Sequence, residues 1–110
     1  MPLYHEKIPQ IIREAIEGLD HPIRWSIIVL LIENNEIEYD ELKEKLKIHP
    51  WTLYHHLRFL YKGNLIDKRY VKDKEYYKLS EFGRKLLTNI LSIIPRGDRG
   101  WRGRLRLFVL

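Results

Sequence analysis

Apolar residues recur at Ile8, Ile11, Ile12, Ala15, Ile16 and Leu19. Steps of three and four residues draw one stripe down a helix. Gly18 and the Asp20-His21-Pro22 turn end that helix. The next run, Ile23 to Ile32, is apolar on nearly every face, which predicts a central, buried helix. Asp20 or His21 can cap it, with Pro22 at the first position, where a missing N–H costs nothing. "ENNEIEY" predicts a turn followed by a short extended piece, after which Asp40 caps a third helix over Glu41 to Lys47. The large apolar residues of that helix are Leu42 and Leu46, one turn apart. Residues 48–50 lead into a fourth helix, from Pro50 or Trp51 to about Lys62, stopped by Gly63. Two short runs rich in Tyr, Val and Ile, "NLIDKRYV" and "YYKL", flank the charged turn "KDKE" and predict a hairpin. Ser80 caps a last helix carrying Phe82, Leu86, Ile90, Ile93 and Ile94, ended by Pro95 and Gly97. The fold class is therefore mainly α with a small β-hairpin (α+β). One domain spans residues 1–95, and residues 96–110 form an Arg- and Gly-rich tail that turns apolar at its end.

The fourth helix has two different sides. With Trp51 at zero and 100° per residue, Trp51, Tyr54, His55, Arg58 and Lys62 fall within about 60° of one line. Leu53, Leu57 and Leu60 fall on the opposite side. One side is built for a core. The other carries rings, hydrogen-bond donors and positive charge, which suit phosphates and base edges.

Charge sharpens this picture. The net charge is +5, but residues 1–42 hold three basic and nine acidic residues, whereas residues 43–85 hold twelve basic and five acidic. Residues 86–110 add five Arg against one Asp. A chain with an acidic part and a basic part presents the basic part to an anion, and nucleic acid is the commonest such partner for a small domain.

The clustered histidines of "HPWTLYHHL" invite two other readings, and neither fits. A helical metal chelate needs two ligands on one face, usually four residues apart. His55 and His56 are adjacent and point apart, His49 precedes the helix, and the helix holds no carboxylate. His56 leans toward the leucine side, as a packing residue would. Nucleophilic catalysis needs a hydroxyl beside a base with an orienting acid. Thr52 and His56 are one turn apart, but no acid stands behind the histidine. The expectation is a protein that is not an enzyme and needs no metal or cofactor.

Cysteine is absent, so disulfides and thiolate ligands are excluded. No signal-peptide pattern opens the chain and no apolar run reaches membrane-spanning length, so a cytoplasmic protein without a membrane partner is expected. One Met and one Gln among many Ile, Glu, Lys and Arg suggest a thermophilic source.

The order of elements is the plan of a winged helix-turn-helix, and Asp20 to Leu87 resembles the ArsR-like group of small dimeric transcription regulators. "DHPIRWSIIVLL" resembles that group's opening helix. "ELKEKLKIHPWTLYHHLRFLYKGNLI" resembles its helix-turn-helix, with Thr-x-x-His-His-Leu followed by Gly. "KRYVKDKEYYKLS" resembles its wing, and "LSEFGRKLL" is also similar to the MarR and PadR groups. The resemblance gives Thr52, Tyr54, His55 and Arg58 the DNA-reading positions. Many of these regulators sense soft metals through paired cysteines near the helix-turn-helix; here that stretch reads "EIEYDEL", which excludes such a sensor.

The expected function is sequence-specific double-stranded DNA binding by a homodimeric transcription regulator. Trp51, Thr52, Tyr54, His55, Arg58 and Lys62 would meet the major groove. Lys68, Arg69, Lys72 and Lys74 of the wing would meet the backbone or minor groove, and Lys43, Lys45 and Lys47 would flank the backbone. Ile8, Ile11, Ile12 and Ile16 of the first helix, with Leu86, Ile90, Ile93 and Ile94 of the last, are the expected dimer faces. Two other readings stand beside it: a winged-helix module that binds another protein, and a DNA-coating protein without a specific site. A positive face on the fourth helix favours DNA over a protein partner. The sequence points to no particular effector. In the tail, Arg102, Arg104 and Arg106 alternate with Gly103, Leu105 and Leu107 ahead of Phe108, Val109 and Leu110. That pattern predicts an extended segment docked on its own domain or on the second subunit.

Overall fold

The structure, a computed structural model, describes residues 4–93. The tail, Ile94 and the proposed helix stop at Pro95 and Gly97 lie outside the described residues. A 3-10 turn, Tyr4–Lys7, leads into helix α1, Gln10–Gly18. Then come α2, Pro22–Glu33; strand β1, Ile37–Glu38; α3, Tyr39–Leu46; and α4, Pro50–Lys62. Strands β2, Ile66–Val71, and β3, Lys74–Leu79, form the hairpin, and α5, Glu81–Leu91, follows. This is the α+β architecture that the hydrophobic pattern predicts.

The core gathers around α2. Ile27, Ile28, Leu31 and Ile32 are buried from one side by Leu53, Leu57 and Leu60 of α4 and from another by Ile37, Leu42, Tyr77 and Leu79. Burying each such aliphatic side chain contributes roughly 1.5–3 kcal/mol. The cover is not complete: Trp25, Val29 and Leu30 stay half-buried along a cleft shared with Lys45 and Leu46. The α1 stripe also divides. Ala15 and Leu19 enter the core, whereas Ile8, Ile11 and Ile16 are 44%, 46% and 59% exposed.

Several helix ends differ from expectation. His21, not Asp20, caps α2: its Nδ1 accepts from the Ile23 N–H at 3.1 Å. Helix α3 starts two residues early, at Tyr39, and its cap is Glu38, not Asp40. One carboxylate oxygen of Glu38 accepts from both the Asp40 and Glu41 N–H groups. Asp40 and Glu41 then lie inside the first turn, where negative charge suits the helix dipole. Gly63 ends α4, but not as a left-handed cap, since its φ is −76° and Asn64 takes the positive φ. Its constraint is proximity: a Cβ at Gly63 would lie 2.8 Å from the Glu14 carbonyl oxygen on α1. Helix α5 stops at Leu91, so Ile93 lies beyond it, 79% exposed.

The hairpin turn is tighter than "KDKE". Only Lys72 and Asp73 lie in it, both at positive φ (50° and 66°), the two-residue turn whose twist matches that of the flanking strands. Lys74 and Glu75 belong to β3. The sheet has three strands in the order β1-β3-β2, because Ile37 and Glu38 pair antiparallel with Tyr77 and Tyr76. Among the described residues no helix is long and apolar enough to cross a membrane.

Candidate nucleic-acid interface

Helix α4 is held at both its start and its middle. His49 caps it through Nδ1, which accepts from the Trp51 N–H at 3.2 Å, and Pro50 takes the first position. Leu53, His56, Leu57 and Leu60 face inward. His55, Arg58 and Lys62 are exposed, as are Trp51 (79%), Tyr54 (40%) and Tyr61 (58%), while Thr52 is half-buried. The helical wheel thus places every residue except Tyr61, which sits about 80° from Trp51, outside the expected line.

A polar joint fixes the helix to α2. The buried Arg24 donates from Nε to His56 Nδ1 at 3.1 Å and from one terminal nitrogen to the Glu17 carbonyl at 2.7 Å. Its guanidinium lies 4.0 Å from the centre of the Phe59 ring. His56 is 4% exposed, and its ring packs 4.3 Å from that of His21. Burial, then the neighbouring charges of His21, Arg24 and His55, push its pKa down to about 4. His56 is therefore neutral at pH 7, its Nδ1 lone pair taken by Arg24. The adjacent histidines have opposite surroundings: His55 points outward and His56 inward. Among the described residues no cluster of three or more His, Cys, Asp or Glu is arranged to hold a metal ion. An arginine inside the apolar run "HPIRWSIIVLL" was the sequence signal of this joint.

The wing presents two faces. Lys68, Tyr70, Glu75 and Tyr77 share the face toward α4, by strand alternation and the pairings Lys68–Tyr77 and Tyr70–Glu75. The Lys68 ammonium lies 5.9 Å from the Tyr61 ring and 5.3 Å from the Tyr70 ring. A hydrogen bond with Tyr70 raises its pKa, so it stays charged. On the other face, Arg69 forms a two-pronged ion pair with Glu36 and stacks 5.3 Å from Tyr76. That pairing lowers the Glu36 pKa and raises that of Arg69. Lys72 and Lys74 are exposed at the tip. Lys43 lies 3.8 Å from Asp40, and Lys45 and Lys47 are exposed, the latter ending α3 in a left-handed conformation.

Between α4 and the wing runs an open groove of about 550 Å³, lined by Tyr54, Arg58, Tyr61, Lys62, Lys68 and Tyr77. Tyr54, expected to face a partner, has its hydroxyl engaged: it donates to Glu75 Oε1 at 3.0 Å. Tyr77 donates to the other oxygen at 2.7 Å. Neither Glu75 nor Glu36 was among the expected site residues. A charged residue in an alternating strand reads as a solvated position, and no local spacing announces a partner so far along the chain.

The helix-turn-helix α3–α4, followed by a hairpin and framed by α1, α2 and α5, defines a winged helix-turn-helix protein. Residues 21–68 match the family described as bacterial regulatory protein, arsR family. NolR from Sinorhizobium fredii has the same fold with a TM-score of 0.67 and 26% identity, over 84% of this chain and 95% of that one. HlyU from Vibrio cholerae matches with a TM-score of 0.65 and 23% identity, over 74% and 87%. A transcriptional regulator homologue from Pyrococcus horikoshii matches with a TM-score of 0.63 and 20% identity, over 76% and 89%. No curated protein matches the sequence. Residues 21–68 thus resemble the helix-turn-helix of the arsR family, set in a winged-helix fold shared with these structures.

Proposed function

We propose that the protein is a homodimeric transcription regulator that binds double-stranded DNA at a specific site. In this reading α4 enters the major groove, with Trp51, Thr52, His55, Arg58 and Lys62 toward the bases and phosphates. Lys68, Lys72 and Lys74 of the wing meet the adjacent backbone or minor groove. Lys43, Lys45 and Lys47 lie at the flank. The observation that carries it is the outward side of α4, where cations alternate with rings and no carboxylate interrupts them between Trp51 and Lys62. A protein-binding groove would be neutral and apolar; this one is edged by Arg58, Lys62 and Lys68. The second copy would cover the exposed Ile8, Ile11 and Ile16 in and before α1, with the half-buried Ile12, and the half-buried Leu86 and Ile90 of α5 with the exposed Ile93 just beyond it. Large aliphatics at 44–79% exposure mark such a face. Arg69 joins the DNA-binding surface only if it leaves Glu36. The C-terminal tail, residues 96–110, is proposed to dock on the domain or the partner copy.

A footprint on duplex DNA upstream of the protein's own gene, at two salt concentrations, tests this reading. Replacing Lys72 and Lys74 together by Ala should weaken binding to all sequences alike. It should also flatten the plot of log affinity against log salt by roughly 0.9 for each phosphate that is no longer neutralised. An unchanged affinity and slope would remove the hairpin from the DNA surface. Equal affinity for the footprinted site and random DNA would favour a DNA-coating protein.

A further inference from the structure

Glu75 is an acid on a surface otherwise suited to an anion. Placed on the wing face toward α4, beside Lys68, it opposes any phosphate that approaches the groove. Its surroundings give it a different use. Both carboxylate oxygens are held: Oε1 by the Tyr54 hydroxyl of α4 at 3.0 Å and Oε2 by the Tyr77 hydroxyl of β3 at 2.7 Å. Tyr77 is 2% exposed and so is anchored in the core. Tyr54 is braced from the other side by Tyr39 of α3, ring centres 5.4 Å apart. Burial alone would raise the pKa of Glu75. The hydroxyls of Tyr77, Tyr54 and Tyr70 and the charge of Lys68 outweigh it and hold the group below the usual carboxylate range. The carboxylate thus stays ionised and acts as a shared acceptor, and hydrogen bonds to an ionised acceptor are the stronger kind.

We propose that Glu75 is a positioning residue that locks the wing at one angle to α4 through Tyr54 and Tyr77, so that helix and wing meet one DNA site together. The proposal rests on the DNA-binding reading above. It also gives Tyr54 a different part from base reading: its hydroxyl is a strut.

The test turns on a sign. If Glu75 were only a charge, removing it would raise affinity for every DNA. If it positions the wing, Glu75→Gln and Glu75→Ala lower affinity for the footprinted site roughly tenfold, the effect of losing hydrogen bonds to a charged acceptor, while affinity for random duplex holds or rises. Tyr54→Phe should reproduce that loss, and the double variant Tyr54→Phe/Glu75→Gln should lose no more than either alone. Equal gains on specific and random DNA overturn the proposal. So does an additive double variant, which would make Tyr54 a base reader independent of Glu75. Glu75→Gln keeps the side-chain shape, and its circular dichroism and melting check that the domain is folded. A readout without DNA separates the two ideas. Amide hydrogen exchange over residues 66–79 should quicken several-fold in Glu75→Gln, while exchange in α2 stays as in the parent. Unchanged hairpin exchange sinks the brace even if DNA binding is real. Quickened exchange in a protein that fails to footprint keeps the brace and sinks the DNA reading.

Discussion

Helices α2 and α4 start on the same two residues. His21-Pro22 and His49-Pro50 each put an imidazole Nδ1 on the N–H two residues ahead, at 3.1 and 3.2 Å, with proline in the first turn. From there they diverge. The residues after Pro22 are apolar on nearly every face, and most of the helix is sunk into the core. Those after Pro50 alternate, so Leu53, Leu57 and Leu60 go in while Trp51, His55 and Arg58 stay out. The cap decides where a helix begins, and the pattern after it decides what the helix is for. The two starts also differ in company. The His21 ring leans on His56 and so belongs to the joint between the helices, whereas His49 is exposed.

The core-against-surface contrast should give the largest effect. Ile28→Ala on α2 should cost about 2–5 kcal/mol of stability by denaturant melting, because it leaves a cavity at a fully buried site. Arg58→Ala on α4 should leave stability within about 0.5 kcal/mol, as exposed substitutions do. Its cost should fall on specific DNA, at about 1–3 kcal/mol if it reads a base. Comparable melting losses in both would end the distinction between the two helices.

The joint offers the next test. His56 has a pKa of about 4 when folded against 6.5 for the ordinary group. Between those pH values the unfolded chain takes up a proton that the folded chain refuses. Stability therefore falls as pH drops from about 6.5 toward 4, by at most about 1.4 kcal/mol per pH unit from this one group. Above 6.5 the contribution is constant. His56→Asn should flatten that part of the pH–stability curve; an unaltered curve would show that other groups govern it.

The caps themselves give the smallest effect. His49→Ala should cost about 1 kcal/mol, the usual value of an N-terminal cap. His21→Ala should cost more, since it removes the same cap and the ring packed on His56. Equal losses would mean that the His21–His56 packing contributes nothing.

What the sequence disclosed follows the same line. Periodicity placed α1, α4 and α5, a run apolar on nearly every face placed α2, and the helical wheel separated Leu53, Leu57 and Leu60 from Trp51, His55 and Arg58, because all are local properties. The cap of α3 was expected at Asp40, whereas Glu38, which pairs with Tyr76 as the last residue of β1, serves it. A two-residue strand has no period of its own, so that pairing left no trace in the pattern. The links Tyr54–Glu75, Arg69–Glu36 and Arg24–His56 join residues 21 to 33 positions apart. Tyr54, Glu75, Arg69 and Glu36 each look, by themselves, like ordinary surface charges or rings. Only the Arg24–His56 pair carried a local sign of burial, Arg24 by lying inside an apolar run and His56 by its position beside the leucines.

The pairing of Ile37 with Tyr77 has a kinetic side. It closes a loop of about forty residues that contains α3, α4 and most of the hairpin. Bringing such distant ends together costs roughly 3 kcal/mol of chain entropy on the logarithmic scale, before any packing inside the loop compensates. A pairing of that kind forms late, once the helices have shortened the path between its ends. When it opens, the hairpin is freed from the start of α3 in the same event. The helix-turn-helix and the wing should therefore exchange their amides at a common rate, as one foldon rather than two.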